Sequence, residues 1–282
     1  MAFKFVGIPG NSFLPELPAI EFDYGTSPYN YSKVALLIEN RPLPMIAPLT
    51  LHFMSVVPPE WRFQFMGSNE SVDMMKNSAA IMRQVEAGKM DLTYIPSNMT
   101  TNGGEAISQF LTTLWVYETL LQPAEWLLVF QTDSILCAHS LDDLDSWLQY
   151  DWVGAPWSTE HRYGGNGGLS LRRVSSIIQV LRHQQRLEGS EPEDVWLTER
   201  LGHLPNPKVA NGTEAQTFSV EGIGSETPMG YHLGGSGAIL SGQKWGTLEK
   251  RKKIFEYCPE IKMCLSMDVE SLMGETCNEE WW

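Results

Sequence analysis

Short apolar runs alternate with helically spaced apolar residues over the first half of the chain. The run Val34–Glu39 (VALLIE) stops before Pro42, which is the pattern of a strand buried on both faces of a parallel sheet. The alternating run Trp61–Met66 predicts a second strand, a helical pattern covers Ser71–Gln84, and Leu92–Ile95 predicts a third strand. This order indicates an α/β fold, in which ligands bind beyond the carboxyl ends of the strands.

The same alternation continues along the chain. The strongest helical pattern covers Glu105–Leu121, and an apolar strand at Trp126–Gln131 follows it closely. The second half predicts three further strands and two helices: strands at Trp152–Ala155, Gly168–Leu171 and Thr217–Val220, and helices over Val174–Leu187 and Glu193–Leu201.

A chain of 282 residues is long enough for one large α/β domain. We expect residues 1–32 to wrap the domain, residues 33–240 to form it, and residues 241–282 to be a helical tail that packs on it. The formal charge is −14, from 20 Lys and Arg against 34 Asp and Glu. Such a surface disfavours nucleic acid, whose phosphates bind Lys and Arg. An anionic diphosphate remains a plausible ligand where a bound divalent cation supplies positive charge locally.

No apolar run reaches the roughly 18 residues that a membrane span needs, and Met1–Gly10 lacks the pattern of a signal peptide. We therefore expect a cytoplasmic chain without a membrane span. The cysteines are too few and too irregularly spaced for a disulfide framework, so reduced thiols are expected at Cys137, Cys258, Cys264 and Cys277. In that compartment the N-glycosylation sequons are chance matches: Asn30, Asn69, Asn98 and Asn211.

Asp133 follows the predicted strand Trp126–Gln131 in the segment LLVFQTDSI. Because Mn²⁺ and Mg²⁺ prefer carboxylate oxygens, an acid at a strand's carboxyl end can fix a metal against a diphosphate. Asp also caps turns without any further function. His232, in the late segment PMGYH, is either a second metal ligand or a structural histidine.

Two further segments carry candidate chemistry. In Tyr163–Arg172 (YGGNGGLSLR), four glycines around Asn166 allow the backbone to lie close to a ligand. The segment Glu191–Trp196 (EPEDVW) places Glu193 and Asp194 at a helix start, where the helix dipole favours acids whatever the function. The alternative is that one of these carboxylates is a general base that deprotonates an acceptor hydroxyl.

Taken in chain order, QTDS, YDWVGAPW, GNGGLSLR, EDVW and the late P-x-G-x-H resemble a fungal family of uncharacterised glycosyltransferase-like proteins, related to the metal-dependent GT-A glycosyltransferases. The resemblance covers about Val34 to His232, and its specificity comes from five weak motifs in the right order. It implies a single GT-A-like, Rossmann-like domain with a mixed, mostly parallel central sheet flanked by helices.

The resemblance also implies roles for single residues. Asp133 resembles the last acid of the D-x-D metal motif, and His232 resembles a late histidine that completes metal or diphosphate binding. Asp194, next to Glu193, resembles the catalytic base of inverting enzymes. The residues that would bind the nucleotide sugar are Glu39, Arg41, Gly67, Ser68, Asn69, Gln131, Thr132, Asn166, Gly167 and Gly168.

One departure from the family pattern concerns the metal. Gln131 stands where the first acid of D-x-D is expected, so a single carboxylate remains at that turn and we expect weak metal binding. If His232 is not a ligand, a metal-independent mechanism would hold the diphosphate with Arg41, Arg172 and Arg173.

We therefore predict a glycosyltransferase that uses Mn²⁺ or Mg²⁺ and moves a sugar from a nucleotide-diphosphate sugar to an acceptor hydroxyl. A UDP-sugar donor, inversion at the anomeric carbon and a small-molecule or glycan acceptor are favoured. A nucleotidyltransferase or sugar-nucleotide hydrolase on the same fold is one alternative. A non-catalytic carbohydrate-binding protein is the other, suggested by Gln131 and the ten tryptophans.

Overall fold

The computed structural model describes residues 27–234 and 246–265. Its strands are β1 (Asn30–Ile38), β2 (Trp61–Gly67), β3 (Met90–Tyr94), β4 (Trp126–Phe130), β5 (Ser134–Leu136), β6 (Trp152–Ala155), β7 (Asn166–Arg173), β8 (Ser219–Val220) and β9 (Gly230–His232). Its α-helices are α1 (Ile46–Val56), α2 (Asn69–Lys76), α3 (Ala79–Glu86), α4 (Gly104–Phe110), α5 (Val174–Leu181), α6 (Glu193–Leu201), α7 (Gly212–Ala215) and α8 (Leu248–Tyr257).

Six strands form the central sheet in the order β3-β2-β1-β4-β7-β6. The first four of these strands are parallel, β7 is antiparallel to β4, and β6 is antiparallel to β7. This confirms the predicted α/β architecture with a mixed, mostly parallel sheet flanked by helices. The carboxyl end of β4 meets the amino end of β7, where the Gln131 N–H donates to the Gly168 carbonyl at 2.9 Å.

The apolar character of β1 follows from its place inside the sheet. Ala35 and Leu37 pack into the core on one face, while Val34 and Leu36 pack into the core on the other. A strand covered on both faces has no solvent side, so its sequence is apolar throughout rather than alternating. The run of apolar residues from 34 onward therefore gave the right strand.

A second, small sheet in the order β5-β9-β8 was not predicted as a unit. In it, β5 and β9 are antiparallel and Ser134 lies opposite His232. The Leu233 N–H donates to the Asp133 carbonyl at 2.8 Å. This pairing brings the late histidine next to the turn that carries Asp133.

Two predicted helices are each divided in the structure. The helix expected over Ser71–Gln84 is α2 followed by α3, because the hydroxyl of Ser78 accepts from the Ile81 N–H and starts a new helix. The helix expected over Glu105–Leu121 ends as α4 at Phe110, and a π-helical turn follows at Val116–Leu120.

The helix expected over Val174–Leu187 is shorter, since α5 ends at Leu181. Beyond it, the side chain of Arg186 turns back and forms two hydrogen bonds with the carboxylate of Glu105, at 2.8 and 2.7 Å. That long-range pairing holds the segment after α5 as a loop against α4, which a local helical pattern cannot show.

The expectation of reduced thiols is wrong for two of the four cysteines. Cys137, directly after β5, and Cys258, directly after α8, form a disulfide across 121 residues of chain. Cys264 is a free, buried thiol, and Cys277 lies outside the described residues. Sequence spacing could not reveal the pair, because it depends on α8 folding back against β5.

Within residues 27–234 and 246–265, no helix combines the length and apolar character that crossing a bilayer requires. The segment expected to wrap the domain, 1–32, lies outside the described residues up to residue 26. The expected tail, 241–282, is described only at residues 246–265, where α8 packs its buried Ile254 into the core.

Candidate functional site

A cleft of about 400 Å³ opens where β4 ends, β7 begins and the helices α4 and α6 start. Seven residues chosen from the sequence line it: Gln131, Asn166, Gly167, Gly168, Glu193, Asp194 and His232. Asp133 lies behind His232, with its Oδ1 atom 3.5 Å from the imidazole Nε2. Residues distant in the chain thus meet at the edge of the sheet where α/β proteins bind ligands.

His232 is held between the carboxylates of Asp133 and Glu221, and its ring also contacts the side-chain amide of Gln131. Its Nε2 atom lies 3.2 Å from Oε1 of Gln131, and its Nδ1 atom lies 3.2 Å from Oε1 of Glu221. Burial alone lowers the pKa of His232, but the hydrogen bonds and negative charges of Asp133 and Glu221 outweigh burial and raise the pKa to about 9. The ring is therefore an imidazolium at neutral pH unless a metal replaces the proton.

The donor atoms around Nε2 fit a hard divalent cation. Ligands in neighbouring positions of an octahedral Mg²⁺-like site are about 3 Å apart, which matches the spacing of Nε2 from Oε1 of Gln131 and Oδ1 of Asp133, at 3.2 and 3.5 Å. Glu221 occupies the place of the carboxylate that orients a metal-binding imidazole through its other nitrogen. Within residues 27–234 and 246–265, no three His, Cys, Asp or Glu side chains converge on one point. One imidazole, one carboxylate and one amide oxygen therefore fit weak binding of a divalent metal.

Gly168 makes room for the imidazole. A Cβ atom at this position would lie 2.3 Å from Nε2 of His232 and 2.6 Å from its Cδ2. The ring is fixed by β9 and by the two carboxylates, so it has little freedom to move away. The glycine at position 168 is therefore required by packing against His232, which goes beyond the freedom of a glycine-rich turn.

We expect Gly168→Ala to displace the His232 ring. Overpacking of this kind costs about 1–3 kcal/mol of unfolding free energy, and the displaced ring should no longer bind Mn²⁺ with Asp133. Thermal unfolding and Mn²⁺ titration calorimetry measure the two effects. Gly104→Ala is the matched control, because Gly104 lines the same cleft and a Cβ there meets no atom within 4 Å. Unchanged metal binding in Gly168→Ala would contradict the role given to the ring.

Asp194 presents its carboxylate to the cleft from the first turn of α6. Its Oδ2 atom accepts the Gly167 N–H at 2.9 Å, and its Oδ1 atom accepts the Val195 N–H at 2.8 Å. The side chain is half-buried. The hydrogen bond to Gly167 fixes the carboxylate against β7, next to Gly168, which contacts His232.

Glu193 points into the protein from the same helix start. Its Oε1 atom accepts from Nη2 of Arg172 at 2.8 Å, and the same nitrogen donates to the Gly167 carbonyl at 3.1 Å. Arg172 is fully buried, with its guanidinium 4.0 Å from the ring centre of Trp152. Burial raises the pKa of Glu193, and the charge of Arg172 offsets this only in part. The ion pair of Arg172 and Glu193 therefore joins β7 to α6.

The residues expected to bind the nucleotide lie at the same sheet edge but outside the walls of this cleft. The Glu39 carboxylate accepts two hydrogen bonds from the Arg41 guanidinium, from Nε at 2.9 Å and from Nη2 at 2.7 Å. At Gly67 a Cβ would lie 2.4 Å from the Glu39 carbonyl, so the chain that leaves β1 passes close to the end of β2 there. Ser68 caps α2, and Asn69 is the exposed first residue of that helix.

Thr132 is buried in the turn between β4 and β5. Arg173 faces away from the cleft: its guanidinium lies 4.4 Å from the ring centre of Trp126, and it donates to the Leu148 carbonyl. Of the three arginines considered for a metal-free mechanism, Arg172 is committed to Glu193. Arg41 is the exposed one, and its pKa is raised by its hydrogen bond with Glu39 and by the charges of Glu39 and Asp133, against a lowering by burial.

Sequence reasoning missed four residues of the cleft region. Arg186, with a side chain 1% exposed, pairs with Glu105 and lowers the pKa of that carboxyl to about 2. Ser108 accepts the Glu193 N–H at 3.3 Å, and Glu221 orients His232. Each contact joins residues at least 11 positions apart, and Arg186 and Glu105 are 81 apart, so no local pattern indicates them.

The fold and the site define an α/β protein with a polar, acid-lined cleft at the carboxyl edge of its sheet. Residues 89–232, just over half of the 282-residue chain, match a family described as "Protein of unknown function (DUF5672)". The chain belongs to this family. No protein with curated function matches the sequence.

Several solved structures are distantly similar. Mouse xyloside xylosyltransferase 1, in its apo form, has a TM-score of 0.44 at 11% identity and covers 74% of this chain and 99% of its own. The mannosyltransferase Ktr4p from S. cerevisiae has a TM-score of 0.36 at 9% identity, with 61% of this chain and 60% of that chain covered. The mannosyltransferase PcManGT from Pyrobaculum calidifontis, in complex with GDP-Man and Mn²⁺, has a TM-score of 0.40 at 11% identity, with 65% and 54% covered.

This chain spans less than two-thirds of the length of both mannosyltransferases. At this distance a shared architecture does not assign an activity, because unrelated functions occur on the same fold. The activity has to be argued from the cleft.

Proposed function

We propose that the chain is a metal-dependent glycosyltransferase of the GT-A type that transfers a sugar from a nucleotide-diphosphate donor to an acceptor hydroxyl. The observation that carries this proposal is the contact of two adjacent glycines with two different functional groups. Gly167 donates its N–H to Asp194, while Gly168 packs its Cα against His232. A carboxylate base and a candidate metal centre thus face one cleft from neighbouring residues of β7.

His232, Asp133 and Gln131 are the residues that would hold Mn²⁺ or Mg²⁺. When bound, such an ion neutralises negative charge that develops on a leaving diphosphate. Gly167 and Gly168 carry no side chains, and the space beside them is filled by Glu193 and by the His232 ring, so the two glycines let both groups pack closely against β7. Glu221 and the β5–β9 pairing orient the imidazole.

Asp194 would accept the proton of the acceptor hydroxyl as that oxygen attacks the anomeric carbon. Its hydrogen bond with Gly167 holds the carboxylate in place before the acceptor arrives. Glu193, placed beside it in the sequence, is assigned a positioning role, because its Oε1 is committed to Arg172. Its Oε2 atom is buried without a hydrogen-bond partner among the described residues.

Donor turnover tests the proposal directly. Purified protein is incubated with UDP-sugars and GDP-sugars and a panel of acceptors, with Mn²⁺, with Mg²⁺ and with chelator. Transfer that depends on metal is expected. Release of free sugar without an acceptor would instead indicate a sugar-nucleotide hydrolase, and release of pyrophosphate from a nucleoside triphosphate would indicate a nucleotidyltransferase. Sugar binding that ignores both nucleotide and metal would indicate a carbohydrate-binding protein.

Metal affinity should depend steeply on pH. Nε2 must lose its proton before it binds a metal, and the pKa of His232 is raised to about 9. Affinity for Mn²⁺ should therefore rise by up to about tenfold per pH unit between about pH 6.5 and 8.5, as expected when one proton is released on binding. Calorimetry in buffers of different ionisation enthalpy counts that proton. His232→Gln should lose both the affinity and the slope, whereas pH-independent binding by the unchanged protein would exclude His232 as a ligand.

A further inference from the structure

The disulfide between Cys137 and Cys258 is built into the packing of the fold. Both cysteines are fully buried. Around them, the Ala138 N–H donates to Glu260 at 3.2 Å, and Nδ1 of His139 lies 2.6 Å from the Tyr257 carbonyl. The bond therefore belongs to the interface between the segment after β5 and the end of α8 with the turn that follows it, and the two sulfurs are shielded from small thiols in solution.

A protein disulfide of this kind forms and persists in an oxidising compartment and is rare in the cytosol. The cytoplasmic expectation came from the lack of a signal-peptide pattern and was accompanied by an expectation of reduced thiols, which the Cys137–Cys258 bond contradicts. In the secretory lumen, the sequence N-x-S/T is a glycosylation acceptor when it lies on the surface. The four sequons then acquire a meaning that they lacked in a cytoplasmic protein.

We infer that the chain passes through the secretory pathway and carries an N-linked glycan at Asn98. Asn98 is exposed in a turn between β3 and α4, closed by the Met99 N–H donating to the Pro96 carbonyl at 2.9 Å. Thr100, which completes the sequon, is also exposed. A glycan here extends into solvent without displacing a core residue or a strand.

The other sequons are less suited. Oδ1 of Asn211 caps α7 by accepting two N–H groups at 3.0 Å each. Oδ1 of Asn30 accepts both the N–H and the hydroxyl of Ser32 at the start of β1. Asn69 is exposed, but it begins α2 at the sheet edge where β1 and β2 end. Asn98 is the sequon whose asparagine lies in an exposed turn away from these strand and helix starts.

The test uses the full-length protein isolated, without reductant and with iodoacetamide present, from the cells that produce it. Peptide mapping is expected to show Cys137 joined to Cys258. The Asn98 peptide should be detected without a glycan only after peptide-N-glycosidase treatment. An unmodified Asn98 peptide in the mature protein would overturn the inference, and so would alkylation of Cys137 and Cys258.

Variants expressed in the same cells fix the site. Asn98→Gln and Thr100→Ala should each remove the glycosidase-sensitive shift in electrophoretic mobility that Asn98 contributes. Asn77→Gln is the matched control, because Asn77 is also exposed and lies outside a sequon, and it should keep the full shift. A shift that survives unchanged in both Asn98→Gln and Thr100→Ala would contradict Asn98 as the site. The inference is independent of the proposed transferase activity.

Discussion

Replacing Asp194 by Asn should lower sugar transfer by about a hundredfold to ten-thousandfold, the usual contribution of a general base, while nucleotide binding stays nearly unchanged. The amide oxygen of Asn can still accept the Gly167 N–H that Asp194 accepts at 2.9 Å, so the helix start should keep its geometry. What the variant loses is the ability to take a proton. Transfer rates at saturating donor and acceptor, beside calorimetric titration with the nucleotide, separate these two properties.

Glu191→Gln is the matched control for that variant. Glu191 is an exposed acid three residues before Asp194 and precedes α6. Glu191→Gln removes one negative charge near the helix start, as Asp194→Asn does, but it leaves the Asp194 carboxylate in place. It should therefore retain full activity. If Asp194→Asn also retains transfer, Asp194 stabilises the helix start and its contact with β7, and the base must be sought elsewhere.

Arg172→Met should destabilise the protein by about 3–5 kcal/mol, because it leaves Glu193 buried without its partner. Arg172 is fully buried, with Nη2 2.8 Å from Oε1 of Glu193. The double variant Arg172→Met with Glu193→Gln removes the uncompensated charge and should recover much of that loss. Urea unfolding of the two single variants and the double variant gives the coupling free energy. Additive single effects would contradict a coupled pair.

The stability of Arg172→Met should also depend on pH. Burial already raises the pKa of Glu193, and removing the positive charge of Arg172 should raise it further. A folded-state pKa above the unfolded value means that the folded protein binds more protons, so stability falls as pH rises from about 4.3 through the raised pKa. Arg182→Met is the control: its guanidinium is 62% exposed and pairs with Glu118, so its loss should cost no more than about 1 kcal/mol.

The large sheet was predictable because its strands are covered on both faces or bounded by clear breaks. The runs beginning at Val34 and Trp126 are apolar without interruption, which a helix on a protein surface does not allow. The prediction failed where one helical pattern continues across a break. Ser78 restarts a helix by capping it, and the apolar spacing on either side does not register that event.

Within the cleft, the sequence located the groups that lie at element ends and missed those that depend on long-range pairing. Asp133 and Asp194 follow a strand and begin a helix, so their placement could be inferred from local pattern. Glu221 and Arg186 are ordinary polar residues until β9 and the loop after α5 bring them to His232 and Glu105. Glu193, predicted as catalytic together with Asp194, turned inward because Arg172 offers it a buried partner.

The two sides of the cleft are supported by two different sheets. Asp194 is fastened through Gly167 to the six-stranded sheet, whereas His232 belongs to β9 of the three-stranded sheet. That smaller sheet is in turn linked to the end of α8 by the Cys137–Cys258 bond, and to the segment after α8 by Cys264, whose thiol donates to the Ser134 carbonyl. A donor that bridged both sides would link the two sheets, so a substitution that displaces α8 should weaken donor binding at the distant cleft.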